Sequence, residues 1–403
     1  MSSSRVSNVA VHVRVRGFDE PDAQRNLVNY KVDPTMKNIT WTTPRTSESR
    51  DETERLFNFD HVFDMGADQK ELAQALVNPM VENAWEGFNS CCFAYGQTGS
   101  GKTYSIFGEA KGPRKGIAPR VMEEMFNVIK TRRGSEEVGL LVSFLEIYLG
   151  QVRDLGVYYL LEKQGAHTPS NAADYPKQNL QIRQDENGTV FVKDLKKIRI
   201  TSVGEGLDVI KAGLRMRQTY ETEHNNVSSR SHTVLTLTLV RTDNRTEDVL
   251  SGAINLVDLA GSERLTRVRD QQRMQETKSI NSSLSSLGKV VMSLNAGDIR
   301  HIPYRDSKLT RILQNSLGGN SFCSLLATIN PRVQSYEESL NTLQFANRCK
   351  NVLNKIHINV VGEDPVVLQK KLRRLQEEMN KLQEELALYK AAGGGDVASM
   401  MDL

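Results

Sequence analysis

The chain has 403 residues, and its 52 Lys and Arg nearly balance its 49 Asp and Glu, for a formal net charge of +3. This length allows one large α/β domain with an additional segment, and the small net charge means that any charged binding surface must be local. The four cysteines, at 91, 92, 323 and 349, form no CxxC pair, which argues against a zinc site or a disulfide framework. No apolar run approaches the roughly 20 residues of a membrane span, so we expect a soluble protein with reduced thiols.

Apolar runs of strand length alternate along the chain with segments of helical spacing. A run at 9–16 is followed by a helical pattern over 71–88, a second run at 89–95 and a helical pattern over 118–130. Further apolar runs lie at 140–148, 233–240, 253–257 and 321–330, and the Pro-, Ala-, Ser- and Asn-rich segment 165–178 is expected to be a surface insertion. This alternation predicts an α/β fold with a central, mostly parallel β-sheet flanked by helices.

A glycine-rich loop follows the run at 89–95 and precedes a segment that can become helical. It fits the pattern GxxxxGK[ST] in the strand-to-helix context that this phosphate-binding motif requires. Backbone N–H groups can surround a β-phosphate, Lys102 can reach the β- and γ-phosphate oxygens, and the Thr103 hydroxyl can ligate Mg²⁺. A flexible loop with an accidental match is the alternative. The candidate nucleotide-binding residues are Gly96, Gln97, Thr98, Gly99, Ser100, Gly101, Lys102 and Thr103.

Two later polar segments could respond to a γ-phosphate. Residues 225–232 include Asn225, Ser228 and Ser229, whose amide and hydroxyl groups can orient a water and complete a metal shell. Asp258 ends a buried-strand pattern, where its carboxylate can hold a water of the metal, and the backbone N–H of Gly261 can meet the phosphate. Taken separately, the first segment could be an ordinary polar loop and Asp258 could cap a helix.

Beyond Lys350 the helical pattern fades, and a turn signal at 362–365 precedes a new helix. Its apolar residues alternate steps of four and three, as in a coiled coil: Leu368, Leu372, Leu375, Met379, Leu382, Leu386 and Tyr389. One amphipathic helix packed on the main domain is the alternative. Because the seam spans only about 33 Å, the isolated dimer should be marginal. We expect a main domain at 1–350, a connector at 351–365, a coiled coil at 366–390 and a disordered tail at 391–403.

Read together, the segments AYGQTGSGKT, NNVSSRSH, NLVDLAGSE and HIPYRDSKLTRILQNSLGGNS resemble the kinesin superfamily, and the likeness covers nearly all of residues 5 to 355. The resemblance implies the kinesin motor fold, which is of the P-loop NTPase type, with ATP or ADP and Mg²⁺ as ligands. It also implies an ATP hydrolase that moves along microtubules. Residues 225–232 would be its first switch, and 258–263 its second.

The resemblance assigns a role to individual residues of the two switches. Arg230 and Glu263 would form the salt bridge that closes the pocket, and Ser228 would position the attacking water. Ser229 and Thr103 would serve Mg²⁺.

At the base site, Arg14 and Arg16 fall where the family's R-x-R-P pattern touches adenine, and Tyr104 would flank the ring. Gly17 replaces the proline of that pattern. This departure loosens one side of the base site.

Two basic segments are candidates for the microtubule contact. By the resemblance, the run containing Arg305, Lys308 and Arg311 meets tubulin, whose surface is acidic, although a solvated helix face is the alternative. After Glu263 the chain departs from the family with a shortened loop over 264–273 that includes Arg267 and Arg269. These arginines look like a second tubulin contact, or they pair with the protein's own acids.

Residues after the main domain resemble a neck linker, with Asn359 as its docking asparagine. A linker that follows the motor implies plus-end-directed movement, and VVGEDP resembles the kinesin-2 branch that serves cilia and flagella. The implied location is the cytoplasm and cytoskeleton, with the cilium or flagellum as a narrower option. The implied partners are microtubules and a second chain through the coil, with no nucleic acid and no membrane span. A kinesin-shaped scaffold without hydrolysis and a microtubule-depolymerising enzyme are the competing functions.

Overall fold

The structure is a computed structural model. It describes residues 5–18, 26–44, 53–109, 111–134, 136–165, 178–186, 188–224, 230–242, 244, 249–263, 271–297, 301–360, 373, 376–377 and 379–388. Side chains are described for these residues except within 219–224 and 271–281.

The strands are short at the edges of the molecule and long at its centre. In chain order they are β1 (Arg5–Asn8), β2 (Ala10–Val15), β3 (Tyr30–Val32), β4 (Asn38–Thr42), β5 (Glu54–Asn58), β6 (His61–Phe63), β7 (Ser90–Tyr95), β8 (Glu137–Tyr148), β9 (Gln151–Asp154), β10 (Ile182–Gln184), β11 (Val190–Val192), β12 (Ile198–Ile200), β13 (His232–Thr242), β14 (Val249–Asp258), β15 (Phe322–Ile329) and β16 (Leu353–Ile356).

Helices connect most of the central strands. They are α1 (Gln69–Trp85), α2 (Lys102–Ile106), α3 (Ile117–Arg132), α4 (Val157–Lys163), α5 (Val203–His224), α6 (Gln271–Asn295), α7 (Lys308–Leu313) and α8 (Tyr336–Cys349), with short 3₁₀ turns at Tyr304–Asp306 and Val333–Ser335. Within the described part of the chain, no helix combines the length and apolarity that crossing a membrane requires.

The predicted α/β class with a helix-flanked central sheet is confirmed, and the sheet is mixed. Its order is β12-β8-β13-β14-β7-β15-β2-β6, with β9 beside β8. Pairings are parallel from β14 through β7, β15 and β2 to β6. They are antiparallel from β12 through β8 and β13 to β14. Apolar runs such as 233–240 suit either direction, because a strand covered on both faces reads as apolar throughout.

Helices cover both faces of this sheet and create two apolar layers. One layer contains residues of α6, α7 and α8, and the other contains residues of α1, α3 and α5. All four cysteines are free and buried in these layers, as predicted. The carboxyl ends of the parallel strands β7, β14 and β15 therefore meet at one edge, where an open α/β sheet binds its ligands.

The chain beyond α8 lies against the main domain up to Val360, where the continuously described segment ends. β16 pairs antiparallel with β1, and Val360 forms a bridge with Leu250 at the start of β14. Within the helix at 379–388, Met379, Leu382 and Leu386 are at least half exposed. These three predicted coiled-coil residues are therefore not buried on the domain, while the dimer itself stays a prediction.

Candidate functional site

The glycine-rich loop connects the carboxyl end of β7 to α2, as the motif predicts. Gly99 and Gly101 have φ angles of +74° and +107°, a region that suits glycine. A Cβ atom on Gly96 would lie 2.2 Å from the backbone oxygen of Thr328 on β15, so this position admits no side chain. The Ser100 hydroxyl lies 2.6 Å from the Thr328 hydroxyl, which fixes the loop to the neighbouring strand.

Lys102 lies at the base of the loop and is buried. Its Nζ donates to the carbonyl oxygens of Gly96 at 2.8 Å and Gln97 at 2.9 Å. Burial lowers the pKa of this ammonium group, and the carboxylates of Asp258 and Glu263 oppose the shift. The ammonium group is thus held inside the loop, where a phosphate enclosed by the loop would meet it.

Thr103 and Asp258 contact each other directly. The Thr103 hydroxyl donates to Oδ2 of Asp258 at 2.7 Å, and Nη1 of Arg217 donates to the same oxygen at 2.9 Å. Oδ1 of Asp258 is buried and has no hydrogen-bond partner among the described residues. A buried carboxylate oxygen without a donor normally faces a water or ion, so this atom marks a position for a metal-bound water.

Arg217 is a site residue that the sequence analysis missed. It lies on α5, it is buried, and its Nε donates to the Ser231 hydroxyl at 3.1 Å. The guanidinium group therefore joins the first switch to the carboxylate of the second. An arginine 13 residues before Arg230 on a long helix gives no pattern that would have identified it.

His232 also connects the two switches. Its Nδ1 accepts the backbone N–H of Ala260 at 2.9 Å, and its Nε2 lies 2.9 Å from the Ser283 hydroxyl of α6. Burial lowers the pKa of His232 to about 3, so the ring is neutral at physiological pH. The neutral ring with its proton on Nε2 satisfies both contacts.

Glu263 lies against the glycine-rich loop. Its carboxylate accepts the backbone N–H of Thr98 at 2.8 Å and also accepts the Thr98 hydroxyl. Arg230 instead borders a separate cavity of about 310 Å³ with Leu149, Arg305 and Lys308. The salt bridge of Arg230 with Glu263 in a closed pocket stays a prediction. A Cβ atom on Gly261 would lie 2.3 Å from Oε2 of Glu263 and from the Thr98 hydroxyl, so a side chain there would displace this contact between the second switch and the loop.

A cavity of about 630 Å³ opens beside the loop and contains the predicted base site. Arg14 is buried there, where its Nη1 donates to Gln69 at 2.7 Å and Ser105 at 2.9 Å. Its guanidinium carbon lies 5.3 Å from the centre of the Tyr104 ring. Arg16 donates to the carbonyl oxygen of Gly99. The structure thus brings Arg14, Arg16 and Tyr104 to one cavity with the loop.

Several predicted site residues lie outside the described residues. They are Asn225, Ser228, Ser229, Arg267 and Arg269. Their roles stay as the sequence predicts them. Within the described residues, no cluster of three His, Cys, Asp or Glu could hold a metal ion.

The predicted microtubule residues lie on and beside α7. Arg305 is exposed, Lys308 Nζ donates to Asn179 at 2.7 Å, and Arg311 donates to Gln184 at 3.0 Å. Ser307 caps α7 by accepting the Thr310 N–H at 3.1 Å. Lys308 and Arg311 therefore lie on one short, capped helix, and Arg305 lies in the 3₁₀ turn just before it.

Asn359 makes a dense set of hydrogen bonds. Its Nδ2 donates to Gly87 at 2.9 Å, Asn89 at 3.0 Å and Ser251 at 3.1 Å, and its Oδ1 accepts from Asn320 at 2.9 Å. These contacts hold the segment after β16 against α1 and β14.

Comparisons with known proteins agree with one another. The chain is 39% identical over 326 residues to a kinesin heavy chain of Botryotinia fuckeliana, which covers 80% of this chain and 35% of that protein. It is 35% identical over 382 residues to the kinesin-like protein KIF3C of Bos taurus, covering 88% of this chain and 45% of that protein. The chain thus spans less than half the length of these curated relatives.

A solved structure of a fast kinesin, described with implications for ATPase mechanism and microtubule interactions, matches with a TM-score of 0.77 at 34% sequence identity. The match covers 89% of this chain and 95% of that chain. The family model of the kinesin motor domain matches residues 14–352. The chain therefore belongs to the kinesin motor domain family.

Proposed function

We propose that this chain is a microtubule-stimulated ATPase that converts ATP hydrolysis into movement along microtubules. One observation carries the proposal: the glycine-rich loop holds Lys102, while Thr103 of the same loop bonds to Asp258 at the end of the adjacent strand. Phosphoryl transfer needs this combination of a phosphate cradle and a metal-orienting carboxylate.

The residues of the site fit a magnesium nucleotide. The positive φ angles and the close approach of Gly96 to Thr328 leave a concave loop of backbone N–H groups, which suits a phosphate. Thr103 and, by resemblance, Ser229 supply hydroxyl ligands, and the unpartnered Oδ1 of Asp258 would accept from a metal-bound water. Bound Mg²⁺ would neutralise charge on the β- and γ-phosphate oxygens during transfer.

Hydrolysis requires the switches to change their contacts around the nucleotide. Ser228 would position the attacking water, and the Gly261 N–H would meet the γ-phosphate. Glu263 would leave Thr98 and pair with Arg230, because a carboxylate bonded to the loop cannot at the same time close the pocket from the first switch. Arg217 and His232 bridge the switches at Asp258 and Ala260, so they would transmit this change.

The acidic surface of tubulin would attract Lys308 and Arg311 of α7, Arg305 of the 3₁₀ turn before it, and Arg267 and Arg269 in the loop after the second switch. Lys308 bonds to Asn179 and Arg311 to Gln184, and among the described residues neither forms a salt bridge with an acid. Their charge is thus available to a partner.

The neck linker supports plus-end direction. β16 follows the last helix of the motor domain and pairs with β1. Asn359 then bonds the residues after β16 to the domain. The chain would dimerise through residues 366–390 and act on the cytoskeleton. The likeness to kinesin-like protein KIF3C and the VVGEDP segment support the kinesin-2 branch, with cargo transport in cilia or flagella as the narrower proposal.

Steady-state ATPase with and without taxol-stabilised microtubules tests the proposal. We expect strong stimulation by microtubules and no turnover in Lys102→Ala, because Lys102 supplies the ammonium group that the loop holds for the β- and γ-phosphates. Lys130→Ala, on the exposed side of α3, is the matched control and should keep its turnover. Turnover near wild type in Lys102→Ala would exclude this loop as the catalytic site, and turnover that microtubules do not stimulate would exclude the motor.

A further inference from the structure

We propose that Phe18 and Arg332 are positioning residues for the nucleotide, because they hold Arg16 between the glycine-rich loop and the base end of the cavity. The inference rests on the proposed function and deepens it. Gly17 replaces the proline of the family pattern on this side of the base site. We assign to Phe18 the support of that side.

The stack is visible in three contacts. The guanidinium carbon of Arg16 lies 5.4 Å from the centre of the Phe18 ring, and that of Arg332 lies 4.9 Å from the same ring. The ring is therefore in contact with two cations, each of which its π system attracts. Arg16 in turn donates to the carbonyl oxygen of Gly99, so the stack ends on the glycine-rich loop.

Gly17 makes this arrangement possible. A Cβ atom at position 17 would lie 2.6 Å from the backbone oxygen of Met65, a distance that real side chains do not adopt. The loop at Met65 thus approaches the chain closely between Arg16 and Phe18. Any side chain there, a proline ring included, would push the two segments apart and move the aromatic ring away from the arginine.

The stack borders the cavity that the nucleotide would occupy. Arg16, Phe18 and Met65 line it together with the glycine-rich loop and Tyr104. Lys102 and Thr103 define its phosphate end, so the base must lie toward Arg14, Arg16 and Tyr104. Arg16 bonds to Gly99 and stacks on Phe18, so its guanidinium group has a fixed position between the phosphate end and the base end of the cavity. A group that is already fixed loses less entropy when the ligand binds.

The backbone of Arg332 is held beside the ring. Its N–H donates to Oδ1 of Asn330 at 3.2 Å, and the residue forms a bridge with Leu27 shortly after the end of β15. These contacts fix the point from which the Arg332 side chain reaches Phe18.

The test is the affinity of the nucleotide-depleted protein for MgADP, measured by isothermal titration calorimetry. We expect Phe18→Leu, which keeps bulk without the π system, to raise Kd about three- to tenfold, from the loss of two exposed cation–π contacts. Phe18→Tyr should keep the wild-type Kd. Phe191→Ala, an exposed phenylalanine on β11, is the matched control and should also bind as wild type.

Kinetics and a double-mutant cycle distinguish positioning from general damage. KM for ATP should rise in Phe18→Leu while kcat and the melting temperature stay near wild type. Arg332→Met should weaken MgADP in the wild-type background and have little effect when Phe18 is already leucine, because it acts through the ring. Wild-type affinity in Phe18→Leu, or additive effects of the two changes, would overturn the inference. A wild-type protein that binds no MgADP would overturn the proposed function as well.

Discussion

At the residue scale, Glu263 is a side chain whose contacts we expect to change during a catalytic cycle. In this structure both of its oxygens contact Thr98 of the glycine-rich loop. The second switch is therefore held to the loop by a carboxylate that accepts a backbone N–H. Closure toward Arg230 would exchange this contact for an ion pair.

Removing the carboxylate should separate binding from hydrolysis. We expect Glu263→Ala to bind ATP and microtubules but to hydrolyse ATP very slowly, since Arg230 would lose its partner in the closed pocket. Rapid-mixing measurements of ATP binding and phosphate release, beside microtubule co-sedimentation, measure the three steps. Glu337→Ala, an acid of α8 away from the pocket, serves as control. If microtubule-stimulated turnover of Glu263→Ala stayed within a factor of two of wild type, other residues would have to close the pocket.

The residues whose chemistry follows from a local pattern could be predicted from the sequence. Lys102, Thr103 and Asp258 lie together because strand order brings the ends of β7 and β14 side by side. Arg217 and Phe18 could not be predicted in the same way. Each reaches the site through tertiary packing, Arg217 from a long helix and Phe18 from the loop after β2, and neither belongs to a spacing pattern in the sequence.

At the scale of elements, the predicted neck linker is held to the domain through backbone pairing and one side chain. β16 pairs with β1, and Asn359 bonds to residues after α1, before β15 and in β14. The side chain of Asn359 thus gathers three separate parts of the fold. Docking and its release are the events through which such a linker would produce movement.

Asn359→Ala should therefore impair movement more than chemistry. We expect slower microtubule gliding, with microtubule-stimulated ATPase within a factor of two of wild type, because the nucleotide site is untouched. His357→Ala, whose exposed side chain lies two residues earlier, should glide as wild type. A gliding speed that Asn359→Ala leaves unchanged would show that the pairing of β16 is enough for docking.

The loop after the second switch can be tested as a tubulin contact. Arg267→Ala with Arg269→Ala should raise the microtubule concentration for half-maximal ATPase and flatten its salt dependence, while basal ATPase is unchanged. Surface charges are screened beyond about 10 Å at 0.1 M salt, so the effect should be largest at low ionic strength. An unchanged half-maximal concentration at low salt would instead favour arginines that pair with this protein's own acids.

The sheet illustrates what element-scale patterns cannot decide. The sequence identified the long apolar runs that became β8, β13 and β14, but their antiparallel pairing depends on how connections fold back across the sheet. A run that is buried on both faces carries no mark of strand direction. The predicted parallel order holds only on the side of the sheet from β14 to β6.

At the scale of the whole molecule, we expect the oligomeric state to depend on the short apolar seam predicted at 366–390. Met379, Leu382 and Leu386 are exposed on the helix at 379–388, so a second chain could cover them. We expect a monomer–dimer equilibrium at micromolar concentrations, because about three heptads with Met379 and Tyr389 in the seam give a marginal coil. Sedimentation velocity over a concentration series measures it. A dimer that persists at nanomolar concentration would contradict the weak seam.

We propose that ATP hydrolysis at the glycine-rich loop drives directed movement. Gliding of polarity-marked microtubules over surface-attached protein is the decisive test. We expect gliding with MgATP, with the minus end of each filament leading, as plus-end-directed motors require, and no gliding in Lys102→Ala. ATP turnover stimulated by microtubules that do not glide, or that shorten from their ends, would contradict it.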